Sequence, residues 1–493
     1  MKKLFFIMLL SCVSAAIFAG GLVTNTNQSA MFTRFQCRDA TIDIDAAFYN
    51  PAGLVHMSSG FYLSVNNQTI GQLMLVTNDY QNFGDKPKEY RGKVLAPLFP
   101  SLFAIYRTGK FAFSAALTPV GGDGRTNFEE GLPSYEREIA DAIPSMKTNL
   151  NEIDQSLTAV TSDPLYRNIT GYTFDMEMNT HSMSLGYQLN ASYFINKYLS
   201  VAAGVRLVDT RRSISGGISN VRVQVSTSTT NYSLRPSDYL RLVATNATDM
   251  VDTLNMEKIL DEADLMDARE AMEVDIERRG IGFTPVLSIN YSRSLRTNWS
   301  LKYEFKTRMD LSTKIIGGKD GNGRYIDGSI YSADIPAMLS VGVTRRPYNK
   351  FMYYSGIHYY FDKALDIKDI TGLSIDAIDN NSYEFAIGGE YKLNDEIRVS
   401  AGWLITRPGV NSNYQSESRF SLASNTFGTG LGLRISNLID FNIGASYTLY
   451  KKDSKDLTYT PEGADNSVTV NEYYDTRKWI FSAGIDFLFG ENH

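Results

Sequence analysis

Cysteine is almost missing from the 493 residues, with only Cys12 and Cys37. Histidine is equally scarce, and His56, His181, His358 and His493 are dispersed with no HExxH pair and no Cys-His cluster. A disulfide framework and a dedicated zinc site are therefore not expected, and no cofactor is implied. No GxSxG elbow and no ATP-binding motif occur either, so the sequence offers no local sign of an enzyme. A basic surplus is also lacking: 48 Lys plus Arg stand against 54 Asp plus Glu, for a net charge of −6. Nucleic acid is not an expected partner. No interior run reaches the roughly 18 apolar residues that a membrane-spanning helix needs. Proline is sparse, 14 residues, whereas Tyr and Phe number 30 and 26. That balance favours strands.

The first residues are the exception to this shortage of apolar runs. Lys2 and Lys3 precede Leu4 to Leu10, and small residues follow at Ala15, Ala16, Ala19, Gly20 and Gly21. Residues 1–19 read as a secretory signal peptide. Cleavage after Ala19 removes two lysines and no acid, taking the charge from −6 to −8 and leaving Cys37 as the one cysteine. Leu9-Leu10-Ser11-Cys12 is a competing lipoprotein site, but it leaves a shorter apolar core and ignores the exit at Ala19.

From about residue 60 the side chains alternate with period two. Trp479, Phe481, Ala483, Ile485, Phe487 and Phe489 share one face, and Lys478, Ile480, Ser482, Gly484, Asp486 and Leu488 the other. The same oily phase recurs at Phe441, Ile443 and Tyr447, and at Leu185, Tyr187 and Leu189. Fourteen strands follow, at about 61–70, 99–107, 110–118, 181–195, 198–212, 280–292, 299–313, 335–346, 350–362, 382–392, 396–406, 425–436, 438–450 and 477–489. Short turns alternate with long links, the longest at 119–180 and 213–279. An even strand count with one-sided long loops is the pattern of an outer-membrane barrel. Ten to thirteen residues at roughly 3.3 Å each, tilted near 40°, span about 25 to 30 Å, which suits its apolar band. Trp299, Trp403 and Trp479 sit at strand ends, as an aromatic girdle requires.

A soluble all-β protein could show the same alternation. Signal peptide, even strand count, uniform strand length and one-sided loops together argue against it, and in a barrel residues 299–311 put Lys302, Glu304, Lys306, Arg308 and Asp310 on one face. Each cation facing lipid would cost about 2–4 kcal/mol near the midplane, so that face is expected to be the lumen. The fold expected is all-β: a 14-stranded antiparallel transmembrane barrel over residues 60–489, with a short tail at 490–493. Helical spacing within 134–158 and 253–277 adds two amphipathic helices to the extracellular loops, either packed over the mouth or offering an apolar landing groove.

Residues 20–59 precede the first strand and do not alternate. A chain segment folded inside a wide barrel plugs its pore. Within it stands Phe48-Tyr49-Asn50-Pro51-Ala52-Gly53-Leu54, where Pro51 removes an amide donor and Gly53 permits positive φ, a combination also found in ordinary turns. The run from Ala40 to Leu54, just before the first strand, resembles the hatch motif of the FadL/TodX outer-membrane transporters of long-chain fatty acids and other hydrophobic compounds. Asn50-Pro51-Ala52 is its specific core, and the fourteen strands extend the likeness over the mature chain. The resemblance implies an N-terminal hatch (residues 20–59, motif Asn50, Pro51, Ala52 and Gly53), loop capture of an amphipathic ligand, an interior pocket, and lateral exit where strand 3 is kinked. Ala115, Ala116, Pro119 and Gly121 are the candidate gate, since Pro and Gly interrupt ladder pairing. The sequence departs from the family at its end, where Gly490-Glu491-Asn492-His493 follows Phe489.

A fatty-acid carboxylate taken into the lumen needs cations. Arg206, Lys302, Lys306, Arg308 and Arg398 fall on the inward phase and are candidate ligand contacts, although Glu304, Asp310, Glu384 and Glu390 share that phase and can neutralise them. His358 is also inward, and a lone wall histidine is more commonly hydrogen-bonded than catalytic. The function expected is passive uptake of long-chain fatty acids or other hydrophobic molecules across the outer membrane of a Gram-negative cell, by a monomer. A porin-like diffusion channel and a surface-binding barrel are the alternatives, with a lipolytic enzyme behind them.

Overall fold

The computed structural model describes residues 24–137, 139–141, 169–226, 231–246, 257, 259–261, 263–264, 267, 272–294, 296–317, 325–367, 374–417, 419–460 and 466–490. The signal segment and all of 142–158 lie outside them. Fourteen wall strands form one antiparallel sheet: β1 Gly60–Asn78, β2 Lys88–Thr108, β3 Phe111–Phe128, β4 Ile169–Phe194, β5 Leu199–Ser226, β6 Met272–Ser294, β7 in two runs (Thr297–Glu304, Asp310–Gly317), β8 in two runs (Ile330–Ser332, Met338–Tyr348), β9 Phe351–Tyr360, β10 Tyr383–Lys392, β11 Ile397–Arg407, β12 Ser424–Ser436, β13 in two runs (Ile439–Tyr450, Asp453–Tyr459) and β14 Val468–Gly490. Asn231–Leu234 adds a short hairpin arm to β5. Each strand pairs with the next, and β1 pairs with β14 from Gly60↔Gly490 to Asn78↔Glu472, so the sheet closes without an edge.

The alternating phase holds around the wall. Leu189, Phe283, Trp299, Ile387, Phe427 and Phe481 are exposed on the outside, whereas Ser288, Asn290, Ser300, Lys302, Asn442 and Ser482 are buried inside. An oily exterior around a polar interior is the inverse of a soluble protein and matches a bilayer as solvent.

All fourteen expected strands are present, but many run further toward the long-loop end. β5 has 28 residues and β4 has 26. Beyond the apolar band the outward positions become polar, as at Arg211, Asn220 and Arg222, while the ladder itself continues. β7 departs more sharply. Its ladder stops at Glu304 and resumes at Asp310, and β8 is interrupted between Ser332 and Met338, where a Thr307–Ile335 bridge and an Ala333 N to Met309 O bond link the two. Pro336 cannot donate to a ladder there. Crossing the break reverses the phase: Thr307, Met309 and Leu311 are buried, whereas Arg308 and Asp310 are exposed. The expectation that Arg308 and Asp310 face the lumen alongside Lys302 is thus overturned.

The loop helices are also revised. Residues 133–137 and 139–141 are helical (α3) and 257–267 are helical where described, but the reading through 277 fails because β6 begins at Met272. An unexpected helix, α4 (Pro236–Asn246), supplies Tyr239, Leu240 and Val243 as the neighbours of Ile259 and Ala263.

Candidate functional site

Residues 24–59 fill the barrel. Ser29 caps α1 (Ala30–Phe35) by accepting from Phe32 N, and Gln36, at φ 59°, ends it. The segment then turns into the single turn α2 (Ala46–Tyr49) and a 3-10 turn, Pro51–His56, with Pro51 at its first position. So short a helix leaves most of its carbonyls without internal partners. The wall supplies donors: Asn190 Nδ2 reaches Ala47 O at 2.9 Å, Lys302 Nζ reaches Phe48 O at 3.0 Å, and Ser192 and Ser200 donate to Pro51 O and Ala52 O at 2.7 and 2.6 Å.

The Asn50-Pro51-Ala52-Gly53 motif is more than a turn. Asn50 is fully buried and donates to Thr41 O at 2.9 Å and to Asn290 Oδ1 at 2.8 Å, while Ser288 donates back to its Oδ1 at 3.3 Å. A Cβ at Gly53 would stand 2.4 Å from Asn50 Nδ2 and 2.9 Å from Thr41 O, so only glycine lets that amide sit there. Asn50→Ala leaves Thr41 O short of its donor, a loss worth about 1–3 kcal/mol, while Asn290 Oδ1 keeps the amide of Asn298 at 2.8 Å. Faster amide exchange of residues 41–53, with the wall strands unchanged, is the expected readout.

On the opposite side the segment Thr33–Ala40 lies on glycines of successive strands. A Cβ at Gly388 or Gly402 would come within 2.1 or 1.9 Å of Phe35 O, one at Gly428 within 2.3 Å of Thr33 O, and one at Gly356 within 2.0 Å of Asp39 Oδ2. Polar anchors flank this belt. Arg34 donates to Glu390 at 2.7 Å, to Ser400 at 3.0 Å and to Asn442. His358 bridges Asp39 of the plug (2.6 Å) and Glu384 of the wall (2.8 Å), a structural role that engages both ring nitrogens.

The expected lumen cations do not converge. Arg206 and Lys302 meet at Glu304, at 2.7 Å each, and both stack on Phe48, at 4.7 and 4.8 Å from its ring centre. Arg206 also donates to Gln188 Oε1 at 2.9 and 2.6 Å. These two hold the plug. Arg398 pairs with Asp440 at 2.8 Å, Lys306 with Asp334 at 2.8 Å, and Arg308 points outward.

Between β2 and β3 the hydrogen-bond ladder has a gap. Val94 pairs with Thr126, and the next ladder pair is Leu102 with Leu117. Pro119, Gly121, Gly122 (φ 91°) and Gly124 (φ 82°) fall in the unpaired stretch of β3. On β2 it contains Pro97, in a bulge against β1, and Pro100. Prolines on both rims remove donors, and Gly122 and Gly124 take a positive φ that breaks the regular pleat, with Gly124 still close to Ala96 of β2. Ala115 and Ala116 remain paired with Ala104 and Phe103 and form the rim below.

The plug seals this gap from inside. Asn25 donates through its N to Val120 O at 2.8 Å and through Nδ2 to Pro119 O at 3.2 Å. Gln28 Nε2 donates to Pro119 O at 3.0 Å, and Ser101 donates to Gln28 O. Outside the rim lies an apolar recess lined by Leu102, Ala104, Ala115, Leu117, Leu189 and Phe283.

No protein-family model matches the sequence, and no curated protein matches it. Solved structures do. The fold is similar to that of a Pseudomonas aeruginosa FadL homologue, with a TM-score of 0.61 at 15% identity over 95% of this chain and 99% of that one. It is similar also to the P. putida toluene transporter TodX, with a TM-score of 0.52 at 13% identity over 92% and 95% of the two chains. A deltaS2 mutant of the TodX monoaromatic hydrocarbon channel aligns with a TM-score of 0.50 at 14% identity over 98% and 100%. The chain therefore has the FadL/TodX-type fold that its Asn50-Pro51-Ala52 motif led one to expect.

Proposed function

We propose that this chain is a passive outer-membrane transporter of hydrophobic or amphipathic small molecules, long-chain fatty acids among them. Ligands enter from the loops, pass above the plug, and leave sideways through the β2–β3 gap into the apolar recess. The observation that carries this reading is the gap itself, closed from within by a few hydrogen bonds from Asn25, Gln28 and Ser101. Such bonds are worth about 1 kcal/mol each. An apolar molecule burying about 150 Å² gains roughly 4 kcal/mol at 25 cal/mol per Å², so ligand can compete with the seal. The rest of the plug is anchored around the whole circumference. The moving part is therefore the end at Asn25–Gln28, rooted where Tyr49 links Gln28 N to Thr26 O.

A locking experiment tests this. Asn25→Cys with Val120→Cys, in a Cys37→Ala background, joins two residues already bridged through their main chains. The oxidised protein is expected to lose fatty-acid uptake and to regain it on reduction. Equal uptake in both states would remove the lateral route. Free ion conductance by the unmodified protein would favour the diffusion-channel reading instead.

A further inference from the structure

The chain is acidic overall, at −6, yet four of its six short turns carry only cations. Residues 104–113, 191–200, 291–300 and 341–360, which hold the β2–β3, β4–β5, β6–β7 and β8–β9 turns, contain no Asp or Glu. Lys110 stands at the first turn and Lys197 at the second, Arg293 and Arg296 at the third, and Arg345, Arg346 and Lys350 at the fourth, all of them exposed. Arg107 is the one Lys or Arg of these stretches that turns inward, to Val55 O at 3.2 Å and Ser59 at 2.7 Å. Among the described residues the exposed cations form no ion pair. The other two short turns are balanced: Lys392 pairs with Asp395 at 2.6 Å beside Glu396, and Arg434 pairs with Asp440 at 3.1 Å.

The fold brings these cations together instead of spacing them. Arg346 N donates to Arg296 O at 2.8 Å, and Arg296 Nη2 donates to Asn349 Oδ1 at 3.1 Å, so the third and fourth turns are stitched side by side. Arg345 lies opposite Thr297 in the ladder, one residue from Arg296. Like charges held this close destabilise one another unless an anion lies over them. The arc also borders exposed rings: Phe111, Tyr198, Tyr291, Trp299, Tyr348 and Phe351. Lys197 Nζ stands 4.8 Å from the ring centre of Tyr198. Exposed rings at strand ends mark the depth of lipid headgroups, which puts the cations of the turns level with the phosphates.

We propose that the arc from the β2–β3 turn to the β8–β9 turn binds anionic phospholipids of the periplasmic leaflet, of the phosphatidylglycerol kind. Short turns of such a barrel face the periplasm. Each lipid phosphate accepts from one or two of the ammonium and guanidinium groups, and its acyl chains lie along the apolar wall beyond the rings. A phospholipid presents anion and then apolar chain in the order in which the arc presents cation and then aromatic ring. An acidic periplasmic protein would match the charge but not the rings. The balanced side, at the β10–β11 and β12–β13 turns, has no such preference, so one half of the barrel gathers anionic lipid. Lipid selection of this kind does not depend on what the barrel carries.

The test is electron spin resonance of spin-labelled phosphatidylglycerol and phosphatidylcholine, each added to phosphatidylcholine vesicles that hold the purified protein. Lipid held at the wall gives a motionally restricted signal. At about 20 mM salt the phosphatidylglycerol label is expected to associate about fivefold more tightly, and the ratio should approach one at about 1 M, where the screening length falls to roughly 3 Å. The variant Lys197→Gln, Arg293→Gln, Arg345→Gln, Lys350→Gln should bring the ratio below about twofold at unchanged melting temperature. Lys392→Gln with Arg434→Gln, on the balanced side, should keep it. A ratio near one in the parent protein would overturn the inference and leave an acidic periplasmic protein as the partner of the arc. A ratio that survives high salt, that the four-residue variant leaves unchanged, or that falls equally in both variants would overturn it too.

Discussion

Replacing Gly402 by valine is expected to turn a closed barrel into an ion-conducting one. The first added carbon would sit 1.9 Å from Phe35 O, and neighbouring Gly388 presses on the same oxygen. The carbonyl cannot retreat freely, because Arg34 before it is fixed to Glu390 and Ser400. Overpacking a filled interior costs about 1–3 kcal/mol even when neighbours can adjust. Here the obstacle is main chain, and valine adds two further methyls. The wall survives, since the added side chain points inward and the Gly402↔Gly428 and Gly388↔Gly402 ladders need no change. The strain is relieved by lifting α1 off the wall. Planar-bilayer recordings should show steady conductance in Gly402→Val and none in the parent. Gly171→Val is the control, because a Cβ there meets nothing within 4 Å. A silent Gly402→Val protein with a protease-resistant plug would show that the glycine belt does not seat it.

That belt was present in the sequence and not read from it. Each side chain reports which face of its own strand it occupies, so Trp479, Phe481 and Ile485 separated from Lys478 and Ser482 without ambiguity, and the fourteen strands followed. A glycine on an inward position reports nothing until the chain it faces is known, and Gly356, Gly388, Gly402 and Gly428 acquire meaning only from Thr33 to Asp39. The gap had the same difficulty. Pro119 and Gly121 marked one rim, but an opening belongs to two strands, and Pro97 and Pro100 opposite were not connected to it. Among the cations, phase placed Arg206, Lys302 and Arg398 inside and Glu304 among the acids able to neutralise them, but it could not match cation to acid and did not name Asp440. Arg308 failed for another reason: the break at β7 shifted the count, and one residue of shift exchanges the faces. The packing of Phe420 and Leu422 onto Met74 and Tyr474 was missed because both belong to a loop with no period to detect.

The largest loss of stability is expected from Arg38→Met. Arg38 is fully buried within the plug, grips Asp45 through Nε and Nη2 at 2.9 and 2.8 Å, and reaches Asp43 at 2.6 Å. Phe35 and Tyr354 lie against its guanidinium, at 5.4 and 5.0 Å from their ring centres. Burial opposes the charge most strongly, yet Asp45, Tyr354 and Asp43 together outweigh it and hold the guanidinium above its ordinary range. Methionine fills a similar volume, so little of the effect is a cavity. What it leaves is Asp45, buried and without its cation, and breaking a buried pair from one side costs about 3–5 kcal/mol. Asp45 also accepts from Ser29 at 2.9 Å, the residue that caps α1 and follows Gln28. Disorder at Asp45 therefore travels to the seal on the gap, while the barrel, whose ladders do not involve Arg38, keeps its own transition. Hydrogen exchange should show residues 25–50 losing protection in Arg38→Met with β1 and β14 unchanged. Adding Asp45→Asn, which removes the stranded charge, should restore a large part of it. If Arg38→Met alone leaves the plug protected, the pair is dispensable and the glycine belt with Arg34 suffices to hold it.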